Sequence, residues 1–160
     1  MLDRYDILGS IILIDNIIFY NKNGTRQVDH SKKGRPCVIV AELEQYYFCP
    51  FTSHVELERL KYYQGRYYGI EEKDTVVEPY YETHKLRPSY INLQNIISME
   101  LFRLNKYGEI KPEIYYQILI DILETDYQYF DTDNIYKIED NLRYQKQKIE
   151  EKYHLVKKAS

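Results

Sequence analysis

The segment GRPCVIVAELEQYYFCPFTSH, residues 34–54, contains two apolar runs that are separated by a short polar stretch. PCVIVAEL (36–43) is rich in β-branched residues and YYFCPFT (46–52) is rich in aromatic residues, and both compositions are typical of β-strands. Only two residues, EQ, lie between the runs, so the segment predicts a β-hairpin. Its ends are unusual for strands. A glycine, an arginine and a proline precede the first run, and two hydroxyl residues and a histidine end the segment.

More strands are predicted on both sides of this hairpin. SIILIDNIIFY (10–20) indicates a strand with a break at Asp15 and Asn16, and SYINLQNIISME (89–100) indicates one longer strand. GRYYGI (65–70) and DTVVEPY (74–80) are weaker strand signals. Pro50, inside the second run of the hairpin, predicts a strand end or a bulge. Several short strands at close spacing predict a small barrel or a compact curled sheet.

Two helices are predicted after Lys111, where the apolar period changes. KPEIYYQILIDILETDYQYF (111–130) places Ile114, Ile118, Leu119 and Ile122 on one face, and Pro112 suits a first helical turn. In the second segment, 131–158, apolar residues recur every seven positions, at Ile135, Leu142, Ile149 and Val156. The second apolar position that a coiled-coil heptad needs is not maintained, since Ile138 is followed at seven-residue intervals by the polar residues Gln145 and Lys152.

We interpret the second helix as a charged amphipathic helix that lies against its own domain. The alternative is a docking arm for a partner. The predicted organisation is mainly β with C-terminal helices, in which a barrel domain with its closing helix spans residues 1–124 and a charged helical extension spans 125–160.

Composition indicates a cytoplasmic protein. The chain has 160 residues, 44% of them apolar, and no apolar run approaches the length of about 18 residues that a membrane span needs. The first ten residues lack the pattern of a signal peptide, and the two cysteines, Cys37 and Cys49, lie in apolar runs where we expect burial. The acidic stretches 71–74 and 131–134 lack the spacing of a calcium loop, so we expect no metal and no other cofactor.

The order of four motifs resembles the PemK/MazF family of toxin endoribonucleases. Gly9 precedes the apolar run IILID, KKGRPCVIV (32–40) follows a polar loop, and CPFTSH (49–54) ends the next strand. SYINLQNIISMELFRL (89–104) and GEIKPEIYYQILIDIL (108–123) resemble the closing segments of the family domain. The resemblance extends over roughly residues 7–124.

This resemblance implies an SH3-like small barrel that forms a homodimer. It implies a sequence-specific hydrolase, an endoribonuclease that cleaves single-stranded RNA (mRNA) without a metal and is restrained by an antitoxin protein. The family's central catalytic arginine and threonine correspond to Arg35 and Thr52.

Metal-free cleavage needs a proton acceptor for the attacking 2'-hydroxyl and positive charge on the phosphorane. The planar guanidinium of Arg35 suits the second task, and the hydroxyl of Thr52 adds a donor. A guanidinium rarely gives up a proton. We therefore expect another general base, with His54 as the first candidate and His30 and Asp29 as alternatives, or all three as solvated loop residues.

RNA contact is predicted where cations and tyrosines alternate. RLKYYQGRYYG (59–69) interleaves basic residues with four tyrosines, a pattern that favours stacking of unpaired bases, although the 19 tyrosines of the chain make chance clustering common. The predicted substrate-binding residues are Ser53, Lys33, His30, Asp29, Arg59 and Lys61. Two other functions remain open: a non-catalytic barrel that binds RNA or protein, and a regulatory protein that acts through its C-terminal helices.

Overall fold

The computed structural model describes residues 7–14, 18–20, 26–28, 35–52, 67–77, 89–93, 95–99, 106–124, 128–129 and 135–153. These residues form eleven strands and two α-helices. The strands are β1 (Ser10–Ile14), β2 (Ile18–Tyr20), β3 (Arg26–Val28), β4 (Arg35–Glu42), β5 (Tyr46–Thr52), β6 (Tyr67–Ile70), β7 (Thr75–Val77), β8 (Ser89–Asn92), β9 (Asn95–Met99), β10 (Lys106–Ile110) and β11 (Gln128–Tyr129). The helices are α1 (Pro112–Glu124) and α2 (Ile135–Tyr153), and a 3-10 turn spans Glu72–Asp74.

Nine of the described strands form one curled sheet, so the chain is mainly β with two helices in its C-terminal part. The strand order is β11-β9-β5-β4-β1-β10-β7, and β8 pairs with both β5 and β6. All pairs in this sheet are antiparallel except β11 with β9. The sheet curls into a half-barrel, and β2 and β3 form a separate hairpin.

The predicted hairpin is confirmed as β4 and β5. Cys37 lies opposite Pro50, and the turn closes with a 2.9 Å hydrogen bond from the amide of Leu43 to the carbonyl of Gln45. The register shifts between Ile39 and Ala41, where β4 contains a bulge. The whole central part of both strands is buried, which explains the continuous apolar runs in the sequence.

The main core lies between one face of the sheet and the two helices. Its buried residues are Ile11, Val38, Val40, Ala41, Tyr47, Cys49, Phe51, Ile70, Ile91, Leu93, Ile96, Ile110, Tyr115, Ile118, Leu119, Ile122, Ile138 and Leu142. A second cluster lies on the opposite face and consists of Ile7, Ile12, Ile14, Cys37, Ile39 and Phe48. Because alternate residues of β4 and β5 belong to different clusters, these strands are apolar on both faces.

Both predicted helices are present and both pack on the sheet. Helix α1 begins at Pro112, as expected, and buries Ile118, Leu119 and Ile122. Tyr115 is buried as well, and its hydroxyl donates a 2.8 Å hydrogen bond to the carbonyl of Val40, whereas the predicted Ile114 is half-buried.

Helix α2 confirms the prediction of an amphipathic helix that lies against its own chain. Ile138 and Leu142 are 0% exposed, and Ile149 packs against the same core. Asn141 adds a 3.1 Å hydrogen bond from Nδ2 to the carbonyl of Glu42 in β4. Leu142 and Ile149 thus keep the predicted seven-residue spacing, and Ile138 adds an i to i+4 contact to the same face, whereas the predicted Val156 lies outside the described residues.

Three sequence expectations about the sheet were wrong. The single strand predicted over 89–100 is two strands, because β5 pairs with β9 at Tyr46–Phe48 and with β8 at Phe51–Thr52. The break faces Pro50, which has no amide hydrogen to donate to a neighbouring strand. Thus the irregularity predicted at Pro50 lies in the partner strand, while β5 itself continues to Thr52.

The polar loop predicted before KKGRPCVIV (32–40) contains the strand β3. The strands β10 and β11 were not predicted at all.

Of the helices in the described part of the chain, none has the length and apolar character that crossing a membrane requires.

Candidate functional site

Arg35 and Thr52 lie at the adjacent ends of β4 and β5. The paired register of β4 with β5 ends at Cys37 and Pro50, and Arg35 and Thr52 each lie two residues beyond that pair, on the same side of their strands as Cys37 and Pro50. On its other side Arg35 pairs with Ile14 of β1. Residues that face each other across antiparallel strands project from the same side of the sheet. The two residues that the resemblance selected are therefore neighbours on one surface.

The guanidinium of Arg35 is held over the end of β5. Its Nη1 donates a 2.8 Å hydrogen bond to the carbonyl oxygen of Phe51, the residue that precedes Thr52. The carbonyl of Arg35 in turn accepts a weak 3.5 Å hydrogen bond from the thiol of Cys37. The hydrogen bond to Phe51 engages one of the five N–H donors of the side chain.

This pair belongs to the face of the sheet that carries the second cluster. Cys37 and Phe48, which are two and four residues away along the same strands, are members of that cluster, whereas Phe51 is buried in the main core. Arg35 and Thr52 themselves are half-buried. An apolar cluster that ends in a half-exposed cation and a hydroxyl is suited to binding an anion, because the fork of arginine matches phosphate geometry.

The remaining predicted site residues lie outside the described residues. They are His54, Ser53, Lys33, His30, Asp29, Arg59 and Lys61. In sequence they flank the described pair, because residues 29–34 lead into Arg35 and residues 53–61 follow Thr52. Their roles stay predictions.

Two tyrosines of the predicted cation-and-tyrosine stretch are described, and they differ in their surroundings. Tyr68 lies opposite Ile91 and packs against the main core. Burial raises the pKa of its phenol, and the nearby Asp74 and Asp121 raise it further. Tyr67, opposite Asn92, is half-buried on the other face. Tyr68 thus contributes to the packing of the main core.

Tyr90 of β8 was missed by the sequence interpretation. It pairs directly with Thr52, and it also pairs with Gly69 of β6. In the sequence it is one of many tyrosines in a strand-like run, and only the register of β5 with β8 reveals that it adjoins Thr52.

The cysteines are buried, as predicted. Cys37 is 1% exposed and Cys49 is 0% exposed. Burial raises the pKa of the Cys49 thiol, and its proximity to Cys37 raises it further, so Cys49 remains a neutral thiol. A nucleophile would need thiolate character and access, which this cysteine lacks.

The acidic stretch 71–74 forms a turn, as expected. The amide of Glu71 donates a 2.9 Å hydrogen bond to Oδ2 of Asp74, and Lys73 forms an exposed ion pair with Glu71 at 3.7 Å. The other stretch, 131–134, lies outside the described residues. Across the part of the chain that the structure describes, no three His, Cys, Asp or Glu side chains form a group that could hold a metal ion.

One cleft lies away from this pair. It has a volume of about 600 Å³ and lies between α2 and the start of α1, where Tyr144, Lys148 and Tyr153 line it. Neither Arg35 nor Thr52 contributes to it. A second, open cleft of about 410 Å³ is lined by Tyr90, the residue that pairs with Thr52, and again by neither Arg35 nor Thr52.

No protein-family model matches the chain, and no curated protein shows a significant match to it. Within the described residues, Arg35 and Thr52 form the arrangement most suited to phosphate chemistry, because a fixed guanidinium and a hydroxyl project from neighbouring strands.

Proposed function

We propose that this protein is a sequence-specific, metal-independent endoribonuclease that cleaves single-stranded RNA. We further propose that its curled sheet is an SH3-like barrel of the PemK/MazF type. The observation that carries the proposal is the 2.8 Å hydrogen bond from the guanidinium of Arg35 to the carbonyl of Phe51, the residue that precedes Thr52. The order of the four sequence motifs supports the same activity.

The reaction uses the RNA's own 2'-hydroxyl as nucleophile. The 2'-oxygen loses its proton to a general base and attacks phosphorus, and the bond to the 5'-oxygen breaks as that oxygen takes up a proton. The products are a 2',3'-cyclic phosphate and a 5'-hydroxyl. Arg35 stabilises the charge on the phosphorane oxygens, and the hydroxyl of Thr52 donates to a third oxygen.

The general base is proposed to be His54. An imidazole has an ordinary pKa near 6.5, which suits proton acceptance near neutral pH better than a guanidinium does. His54 follows Thr52 by two residues in the sequence. His30 and Asp29 are the alternatives.

The family resemblance also supplies the proposed partners. A homodimer of barrels would act on mRNA in the cytoplasm, and an antitoxin protein would restrain it. The segment 125–160 contributes no candidate catalytic residue, so its proposed contribution is to stability and assembly.

A matched set of variants tests the proposal. We expect Thr52→Val, which keeps the shape but removes the hydroxyl, to abolish RNA cleavage, and we expect Thr52→Ser to retain part of it. Arg35→Ala should be inactive. Arg143→Ala should cleave normally. Arg143 is an exposed residue of α2, and its described ion pairs are with Glu139 and Asp140 of the same helix.

Cleavage of a defined single-stranded RNA is followed by gel, and circular dichroism verifies that each variant is folded. Cleavage by folded Arg35→Ala and Thr52→Val at the wild-type rate would overturn the proposal. RNA binding without any cleavage by the wild-type protein would instead favour a non-catalytic binding module.

A further inference from the structure

Three side chains form a row across neighbouring strands at the proposed site. Thr52 of β5 faces Tyr90 of β8, and Arg35 of β4 reaches the end of β5 through its hydrogen bond to the carbonyl of Phe51. The next pair along, Phe51 with Ile91, is buried in the main core at 3% and 0% exposure. Because successive strand residues point to opposite faces, Thr52 and Tyr90 share the other face with Arg35.

The ring of Tyr90 lies over Gly69. The two residues are paired between β8 and β6, and a methyl group at Gly69 would meet Cε1 and Cδ1 of the ring at 3.7 and 3.9 Å. These are ordinary van der Waals distances, so the ring edge lies beside the exposed Gly69 at contact range. One edge of the phenol is supported while the side chain as a whole stays half-buried.

An open cleft begins at this ring. It has a volume of about 410 Å³, and Ser89, Lys73 and Asp74 line it together with Tyr90 and Gly69. This volume is within the range of roughly 300–1,000 Å³ that is common for small-molecule sites. The lining combines an aromatic ring with cationic, anionic and hydroxyl groups, which suits a flat ring with a polar edge.

The spacing of the strands is compatible with one nucleotide step between Arg35 and Tyr90. Neighbouring strands lie about 4.8 Å apart, and the guanidinium of Arg35 already reaches the Phe51–Thr52 peptide, so Tyr90 lies roughly one strand spacing beyond it. A phosphate at Arg35 would thus have an attached base within reach of the phenol ring.

We propose that Tyr90, supported by Gly69, is the stacking platform for an unpaired RNA base next to the phosphate that Arg35 and Thr52 bind. This inference rests on the proposed RNA substrate of that pair. Stacking on an aromatic side chain is tolerant of base identity, so Tyr90 contributes affinity and register, and the polar cleft edge contributes base preference.

Binding measurements with uncleavable strands separate stacking from phosphate contact. The probes are a fluorescein-labelled, fully 2'-O-methylated random decamer and an abasic decamer with the same number of phosphates. For Tyr90→Leu we expect at least about fivefold weaker binding of the decamer with bases and unchanged binding of the abasic strand. Tyr90→Phe should bind both like the wild type, and Arg35→Ala should weaken both.

Tyr136→Leu serves as the matched control, because Tyr136 is a 77% exposed tyrosine on α2. Photo-crosslinking of a 5-iodouridine strand to the wild-type protein, mapped by mass spectrometry, requires no variant and should identify Tyr90.

The outcomes separate the two proposals. If the wild type cleaves RNA while Tyr90→Leu binds the base-containing strand normally, the proposed stacking role of Tyr90 is wrong and the proposed nuclease activity is retained. If the wild type never cleaves RNA but Tyr90→Leu binds the base-containing strand more weakly, the stacking role of Tyr90 is supported and the nuclease proposal is wrong. Failure of the wild type to prefer bases over abasic sites overturns the platform.

Discussion

Arg35 donates a 2.8 Å hydrogen bond from Nη1 to the carbonyl oxygen of Phe51, and this bond ties the start of β4 to the end of β5. The bond holds the guanidinium beside Thr52, the next residue of β5. A fixed, planar cation costs little reorganisation when charge develops on a bound phosphate. The pairing of two strand ends thus converts a β-hairpin into a candidate phosphate site.

Replacement of Arg35 by lysine tests whether the fork geometry matters. Lysine keeps the charge but cannot contact two phosphate oxygens and the Phe51 carbonyl in one plane, so we expect cleavage to fall about a hundredfold or more. Single-turnover rates on a defined RNA measure the effect, with Arg143→Lys on α2 as the control. Near wild-type cleavage by Arg35→Lys would show that only a point charge is needed.

Leu142→Ala tests the role of α2 in the fold. Leu142 is 0% exposed in the main core, so its truncation should lower the free energy of unfolding by about 2–5 kcal/mol. The exposed Tyr136→Ala should change it by no more than about 0.5 kcal/mol. Urea denaturation measures both. Equal stability of the two variants would mean that α2 does not share the core.

The same variant separates stability from chemistry. Leu142 is far from the proposed reaction in the sequence and on a different core face, so the folded fraction of Leu142→Ala should cleave RNA at the wild-type rate. A chain that ends near Thr125 would lose β11, Ile138 and Leu142 together, and we expect it to lose solubility. A folded Leu142→Ala protein that cannot cleave would mean that α2 helps to build the active site.

Asp121 of α1 predicts a pH-dependent change in stability. Burial raises the pKa of its carboxyl, the hydrogen bond from Gln117 lowers it, and Glu124 raises it. The folded-state pKa therefore lies above the ordinary value of 3.8, so ionisation of Asp121 opposes folding above the folded-state pKa, and this penalty disappears as the pH falls below about 3.8.

We expect Asp121→Asn to unfold at a higher urea concentration than the wild type near pH 7 and at the same concentration near pH 3. Glu44→Gln, at an exposed position in the β4–β5 turn, is the control and should show neither effect. A gain that persists at low pH would assign the effect to packing of the amide.

The sequence predicted those parts of the fold that depend on local patterns. The β4–β5 hairpin and α1 follow from runs of β-branched residues and from helical spacing around Ile118. The strands β3, β10 and β11, and the break near Leu93, escaped prediction because each depends on pairing with a distant segment. Polar runs such as KYGEI (106–110) become strands only because β1 and β7 lie beside them.

The candidate site was predicted in the same uneven way. Arg35 begins the first strand of one hairpin and Thr52 ends the second, so a local pattern is enough to bring both to the same end of the hairpin. Tyr90 is 38 residues beyond Thr52 in the numbering, and its place beside Thr52 depends on the register between β5 and β8. Composition concealed it further, since it is one of 19 tyrosines.

The central claim is that Arg35 and Thr52 cleave RNA by attack of the 2'-hydroxyl. The most direct measurement incubates the purified protein with total RNA in EDTA and maps the new ends chemically. We predict 2',3'-cyclic phosphate and 5'-hydroxyl ends at one recurring short sequence, and none above background with Arg35→Ala. New ends that carry a 5'-phosphate, or cleavage that Arg35→Ala performs equally well, would contradict the account.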